Sequence, residues 1–105
     1  MTKSAECTPC TEAREALTGA ELDHACRKLP AGWRVIDNHH LERKFTFPDF
    51  RSALAFTNRL GEIAEELGHH PDIYLTWGEV RVSIWTHKVD GLTLSDFQLA
   101  ERVPV

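Results

Sequence analysis

Residues 68–87 read GHHPDIYLTWGEVRVSIWTH, and this stretch decides the fold. Ile73, Leu75 and Trp77 recur with a period of two, as do Val80, Val82 and Ile84. That period marks half-buried strands. Gly78-Glu79 between them fits a two-residue hairpin turn with glycine first, the type II′ pattern. Trp77 then lies opposite Val80, Leu75 opposite Val82 and Ile73 opposite Ile84, with all six on one face. The same register sets His70 opposite His87, and directly opposed side chains lie roughly 5 Å apart at Cβ. His69 adjoins this pair at the corner where a helix gives way to the strand. Pro71 stiffens that corner and withdraws one donor from the ladder.

Upstream, Pro48 and Asp49 suit the first turn of a helix, where the dipole favours a carboxylate. Phe50, Ala53, Leu54, Thr57, Leu60, Gly61, Ala64 and Leu67 then form one helical stripe over 48–67. Gly68 is placed to close it in a left-handed conformation. Phe56 and Ile63 fall on another face, which hints at packing on two sides. Residues 33–47 read as a first hairpin with a turn at Asp37-Asn38. Arg43 interrupts its apolar alternation, as a twisted or edge strand would. Thr18 with Glu21 is a capping box before Leu22, Ala25, Cys26 and Leu29, giving a first helix over 18–29 that Pro30 and Gly32 stop. Thr93 with Asp96 is a second capping box, opening a last helix through Phe97, Leu99 and Ala100. The order is α-β-β-α-β-β-α: an α+β fold with a four-stranded antiparallel sheet and its helices on one face. Residues 1–17 read as a flexible tail and 18–105 as one domain.

The chain has 105 residues, 42% hydrophobic and 27% charged, which suits one domain with a real core. Net charge is -4 and pI about 5.8, with lysines and arginines scattered. Nucleic acid as a main ligand needs clustered cations, so this balance argues against it. No apolar run reaches the length of a membrane span, and the first residues carry no hydrophobic signal core, so a cytoplasmic protein is expected. Three cysteines, an odd number, fit free thiols in a reducing compartment.

Six histidines is a high count for this length. Imidazole has a free pKa close to neutrality, so grouped imidazoles let one give a proton while another takes one. A dehydration needs that pairing: an acid for the departing hydroxide and a base for an adjoining N–H.

GHHPDIYLTWGEVRVSIWTHKVDGLTLSDFQLA resembles the signature region of pterin-4a-carbinolamine dehydratases. The match includes His69-His70-Pro71, Thr86-His87, Gly91-Leu92, Asp96 and Leu99-Ala100, with Gly32-Trp33 and Phe45-x-Phe47-x-Asp49-Phe50 upstream. It covers about 18–103 in similar order and spacing, so it spans the domain. The resemblance implies a cofactor-free and metal-free hydro-lyase that converts 4a-hydroxytetrahydropterin to quinonoid dihydropterin. Such an enzyme recycles the pterin of aromatic amino-acid hydroxylases. It implies catalytic roles for His69, His70 and His87 and matches Trp33 and Asp96 to family positions; with Pro71, Thr86 and Glu65, which adjoin the histidines, these two are the candidate substrate-binding residues. It also implies a homodimer or homotetramer. Gly68 departs from the polar residue often found before the family's HHP run.

Other readings compete at several positions. Asp96 is fully explained as a capping-box residue, Trp33 as core, and Glu65 as solvated charge that could also orient a histidine one turn later. His39 and His40 decorate the first hairpin. Cys7-x-x-Cys10 with His24 and Cys26 could supply a Cys3His zinc set, but Cys26 lies on the apolar stripe of the first helix. At the level of function, relatives of this kind also serve as a dimerisation partner of a homeodomain transcription factor or as assembly chaperones. A non-catalytic binding protein is therefore the alternative, although it could dispense with the histidines that this chain keeps.

Overall fold

The computed structural model describes residues 16–104. Its elements run α1 (Gly19–Arg27), β1 (Arg34–Ile36), β2 (His40–Thr46), α2 (Phe50–Leu67), β3 (Asp72–Leu75), β4 (Glu79–Ile84) and α3 (Leu94–Arg102). The sheet is antiparallel throughout, in the order β1-β2-β4-β3. Leu41 and Phe45 of β2 and Val80, Val82 and Ile84 of β4 line its inner face. Leu22 and Ala25 of α1, Ala53, Phe56 and Leu60 of α2, and Phe97, Leu99 and Ala100 of α3 join them in one buried cluster. The α+β reading and its element order hold.

Local chemistry sets both ends of α2 and the start of α3. Asp49 is the N-cap of α2 and not part of its first turn: its Oδ1 accepts the Ser52 N–H at 2.8 Å. That bond holds the Asp49 carboxyl below its usual range. At the other end Gly68 adopts φ 68°, ψ 26°, and its N–H donates back to the Glu65 carbonyl. A Cβ at Gly68 would meet no atom within 4 Å, so only backbone conformation favours glycine there. Gly68→Ala is therefore expected to cost about 1 kcal/mol in chemical denaturation, with Gly68→Asn costing less. The capping box of α3 forms as read, Asp96 Oδ2 accepting the Thr93 N–H at 2.8 Å. That of α1 does not: Thr18 makes no side-chain cap bond.

Three expectations change. The buried stripe of α2 is Ala53, Phe56, Leu60 and Ala64, while Phe50 and Leu54 are 48% and 40% exposed. The helix is thus rotated so that Phe56 meets Phe45 and Phe47, with ring centroids 4.6 and 5.2 Å apart. Such aromatic pairs add about 0.5–1.5 kcal/mol beyond burial, enough to choose a face. Next, β2 is a central strand despite Arg43. The Arg43 guanidinium lies 4.5 Å over the Phe45 ring, in space that Gly32 at φ 98° leaves open. A Cβ at Gly32 would sit 2.7 Å from the Arg43 Nε.

The third change is the register of the second hairpin. Leu75 pairs with Val80, Ile73 with Val82 and Asp72 with Ser83. Thr76 closes the ladder, its N–H bonded to the Glu79 carbonyl at 2.8 Å, and Trp77-Gly78 form the loop. Gly78 does not take the positive φ that a II′ turn demands. The partner of every residue moves by two, so the faces survive and the apolar set stays inside. Trp77 is the exception, out at the tip and 73% exposed.

The domain also reaches upstream of α1. The Leu17 N–H donates to the Leu92 carbonyl at 2.6 Å, and Leu17 packs on the core. Cys7 and Cys10 of the zinc reading lie outside the described residues, and His24 is exposed. Burial, then the Asp23 charge, pushes the Cys26 thiol up, opposite to what a metal thiolate needs.

Candidate active site

The corner from α2 into β3 and the end of β4 face one another across a cavity of about 270 Å³. His69, His70, Pro71, Asp72, Trp85, Thr86, His87 and Lys88 line it. The left-handed Gly68 turns the chain out of α2, and the His69 N–H still reaches the Ala64 carbonyl at 3.1 Å. Opposite, residues 86–91 form a tight loop: Thr86 and Gly91 exchange both backbone bonds, at 2.8 and 3.3 Å. The observed register, continued past Asp72–Ser83, brings Trp85 level with His70 and Thr86 level with His69. His70 therefore does not oppose His87 directly, although both remain on the cavity wall.

The two neighbouring histidines have different surroundings. His69 is 3% exposed, and its Nε2 meets Oδ1 of the fully buried Asp96. Oδ2 of Asp96 accepts from the Thr86 hydroxyl at 2.8 Å and from the Thr93 N–H at 2.8 Å. Because the single Thr86 hydroxyl proton goes to Asp96, the 3.0 Å contact between Thr93 Oγ1 and Thr86 Oγ1 is donated by Thr93. Asp96 thus gathers three donors and fixes the Nε2–H tautomer of His69. Nδ1 of His69 is left as an acceptor, buried with no hydrogen-bond partner. His70 stands exposed, its Nε2 held by Glu65 Oε2 at 2.6 Å. At that exposure the pair contributes little stability, and its effect is to orient the ring.

Of the remaining candidates, Pro71 and Thr86 line the cavity, and Asp96 lies behind His69. Trp33 sits in the core, edge-on to Phe45 at 6.3 Å, and is not part of the cavity wall. Trp85, Asp72 and Lys88 also line the cavity and escaped the sequence reading. The Trp85 ring meets the His87 ring edge-on at 4.0 Å, and its N–H donates to Asp72 Oδ2 at 3.3 Å. The signal for Trp85 lay in its place next to Thr86-His87: an aromatic on the outward parity of a strand has no core to fill.

The arrangement can move protons. Three imidazoles share one wall, two of them with Nε2 tied to separate carboxylates, beside a flat aromatic face. Among the described residues no group of three or more histidine, cysteine or carboxylate side chains could hold a metal ion.

Comparison with known proteins meets the same architecture. Residues 15–104 match the model of the family described as pterin 4 alpha carbinolamine dehydratase. A Rubrobacter xylanophilus protein, named a candidate pterin-4-alpha-carbinolamine dehydratase, is 53% identical over 93% of this chain and 91% of its own length. An Alkaliphilus metalliredigens protein with the same name is 45% identical over 93% of this chain and 88% of its own. Among solved structures, a transcriptional coactivator/pterin dehydratase from Brucella melitensis superposes with a TM-score of 0.76 at 33% identity, over 85% of this chain and 95% of that one. A pterin dehydratase-like protein identified as a RuBisCO assembly factor in the alpha-carboxysome gives 0.59 at 26% identity, over 69% and 84%. With a family model matched across nearly its whole length and relatives at this identity, the chain belongs to the pterin 4 alpha carbinolamine dehydratase family.

Proposed function

We propose that this chain dehydrates 4a-hydroxytetrahydropterins to quinonoid dihydropterins by histidine acid–base catalysis, without metal or cofactor. The observation that carries the reading is the convergence of His69, His70 and His87 on one cavity, two of them with tautomers set by carboxylates. In the reaction the C4a–O bond breaks and the hydroxide leaves with a proton from one imidazolium. The proton on the adjoining ring nitrogen passes to a neutral imidazole. One water is released, and nothing is oxidised or reduced. His70 and His87, both exposed at the cavity, exchange protons with the ring. His69, held by Asp96, completes the set, and Trp85 offers a face for the flat bicycle. The enzymes that supply such a substrate are pterin-dependent aromatic hydroxylases, in the cytoplasm. The outward Phe50 and Leu54 of α2 support self-association as a homodimer or homotetramer.

The test follows freshly generated 4a-hydroxytetrahydropterin by absorbance, with and without the protein. Faster decay supports the reading. No acceleration by a folded protein overturns it in favour of a non-catalytic binding or assembly role. That second reading draws on exposed Trp77 and Tyr74, 73% and 57% accessible on the second hairpin, and on the structural neighbour that is an assembly factor.

A further inference from the structure

Beside the cavity lies a cluster that the mechanism above does not use. His39, just past the turn of the first hairpin, places Nε2 2.8 Å from Asp90 Oδ1 and Nδ1 3.1 Å from Nδ1 of His40. With its Nε2–H donated to Asp90, His39 accepts at Nδ1 from His40, so both ring nitrogens are held. The fixed His39 ring then lies 4.5 Å from Trp85, whose indole is bonded to Asp72 and stands edge-on to His87. Asp90 meanwhile adopts φ 53°, a conformation that glycine takes more easily. The 86–91 loop is already closed by its own backbone bonds, so the carboxylate is not needed to make the turn. Its carboxylate serves the contact with His39 instead. The pair is largely exposed, with side-chain accessibility of 32% for His39 and 83% for Asp90, so it adds little stability and its effect is geometric.

We propose that the His39–Asp90 pair straps the first hairpin to the 87–90 loop and positions Trp85, and through it His87, at the cavity. Both are positioning residues, and the inference rests on the dehydratase reading of that cavity. Neither of them lines the cavity. They fix where a wall and an imidazole stand, and misplacement of reacting groups by about 1 Å can cost up to about 10²-fold in rate.

Three variants test it. Asp90→Gly removes the carboxylate while relaxing the backbone, His39→Ala removes the ring, and Asp90→Asn keeps an acceptor and tolerates the same φ. The first two are expected to lower kcat about 3- to 10-fold with KM within about twofold. Asp90→Asn should restore most of the rate. The His87 ring-proton resonances, shifted by the Trp85 ring, should move in Asp90→Gly and His39→Ala and stay in Asp90→Asn. An Asp90→Gly protein with wild-type kcat and unmoved His87 resonances overturns the strap. If the wild-type chain accelerates no dehydration, the functional reading fails, while the His87 resonances still decide the strap by themselves.

Discussion

A His87→Ala protein is expected to fold and bind normally and to lose about 10²–10⁴-fold in kcat for 4a-hydroxytetrahydropterin dehydration, with His70→Ala falling in the same range. Both side chains are exposed, so neither truncation opens a hole in the core or strands a buried group. His70 loses only a solvent-facing bond to Glu65, worth at most about 1 kcal/mol. Thermal melts should therefore overlay the wild type, and the rate loss can be assigned to chemistry. The double variant should lose less than the product of the two single losses, because an acid without its base has little left to lose. Wild-type kcat in either single variant removes that imidazole from the mechanism.

The second large effect belongs to Asp96, and here stability and rate move together. Asp96→Ala removes the acceptor of the Thr93 N–H and the His69 Nε2–H, while the Thr86 hydroxyl is left with only Thr93 Oγ1 at 3.0 Å to turn to. Each such buried donor costs about 1–3 kcal/mol, so a loss near 3–5 kcal/mol is expected. That is a large share of a small domain's stability and can unfold it at 37 °C. Asp96→Asn separates the two effects. Its carbonyl oxygen can keep Thr86 and Thr93, which turns the amide N–H₂ towards His69. Nε2 must then accept, and the proton moves to Nδ1. The fold should survive with a modest fall in Tm, while kcat drops about 10²-fold because His69 carries the wrong tautomer. A proton-detected NMR experiment on the imidazole nitrogens would show the switch directly. A folded Asp96→Asn enzyme with full activity would mean that the His69 tautomer does not matter.

Much of this was legible in the residues. Period-two runs on both sides of Gly78 gave two strands, and Gly68 gave the end of α2. The Thr93-x-x-Asp96 spacing gave the start of α3. The register error had a local cause: glycine was read as the first loop residue and Trp77 as a core aromatic. Trp77 in fact falls in the two-residue loop, where its indole is 73% exposed. Because slippage by two preserves parity, the core came out right even though the pairing across the cavity did not. The rotation of α2 escaped because Phe50 and Leu54 are as apolar as Phe56, and composition alone does not choose between faces. Asp96 was legible as a cap and illegible as the partner of His69, since a contact across 27 positions leaves no trace in local spacing. The pairing of His39 with Asp90 was illegible for the same reason, because only the packed sheet brings a turn at 37–38 beside a loop at 87–90.

The site's most buried carboxylate is also the residue that caps α3. During synthesis all three histidines leave the ribosome before Asp96 does, and the buried His69 has no partner to fix its tautomer until the final helix docks. A chain interrupted just before Thr93 would carry every imidazole and still lack an organised proton relay. On the dehydratase reading, competence is thereby made conditional on completion of the fold: a half-made molecule would do no chemistry, and a molecule that turns over would have its last helix in place.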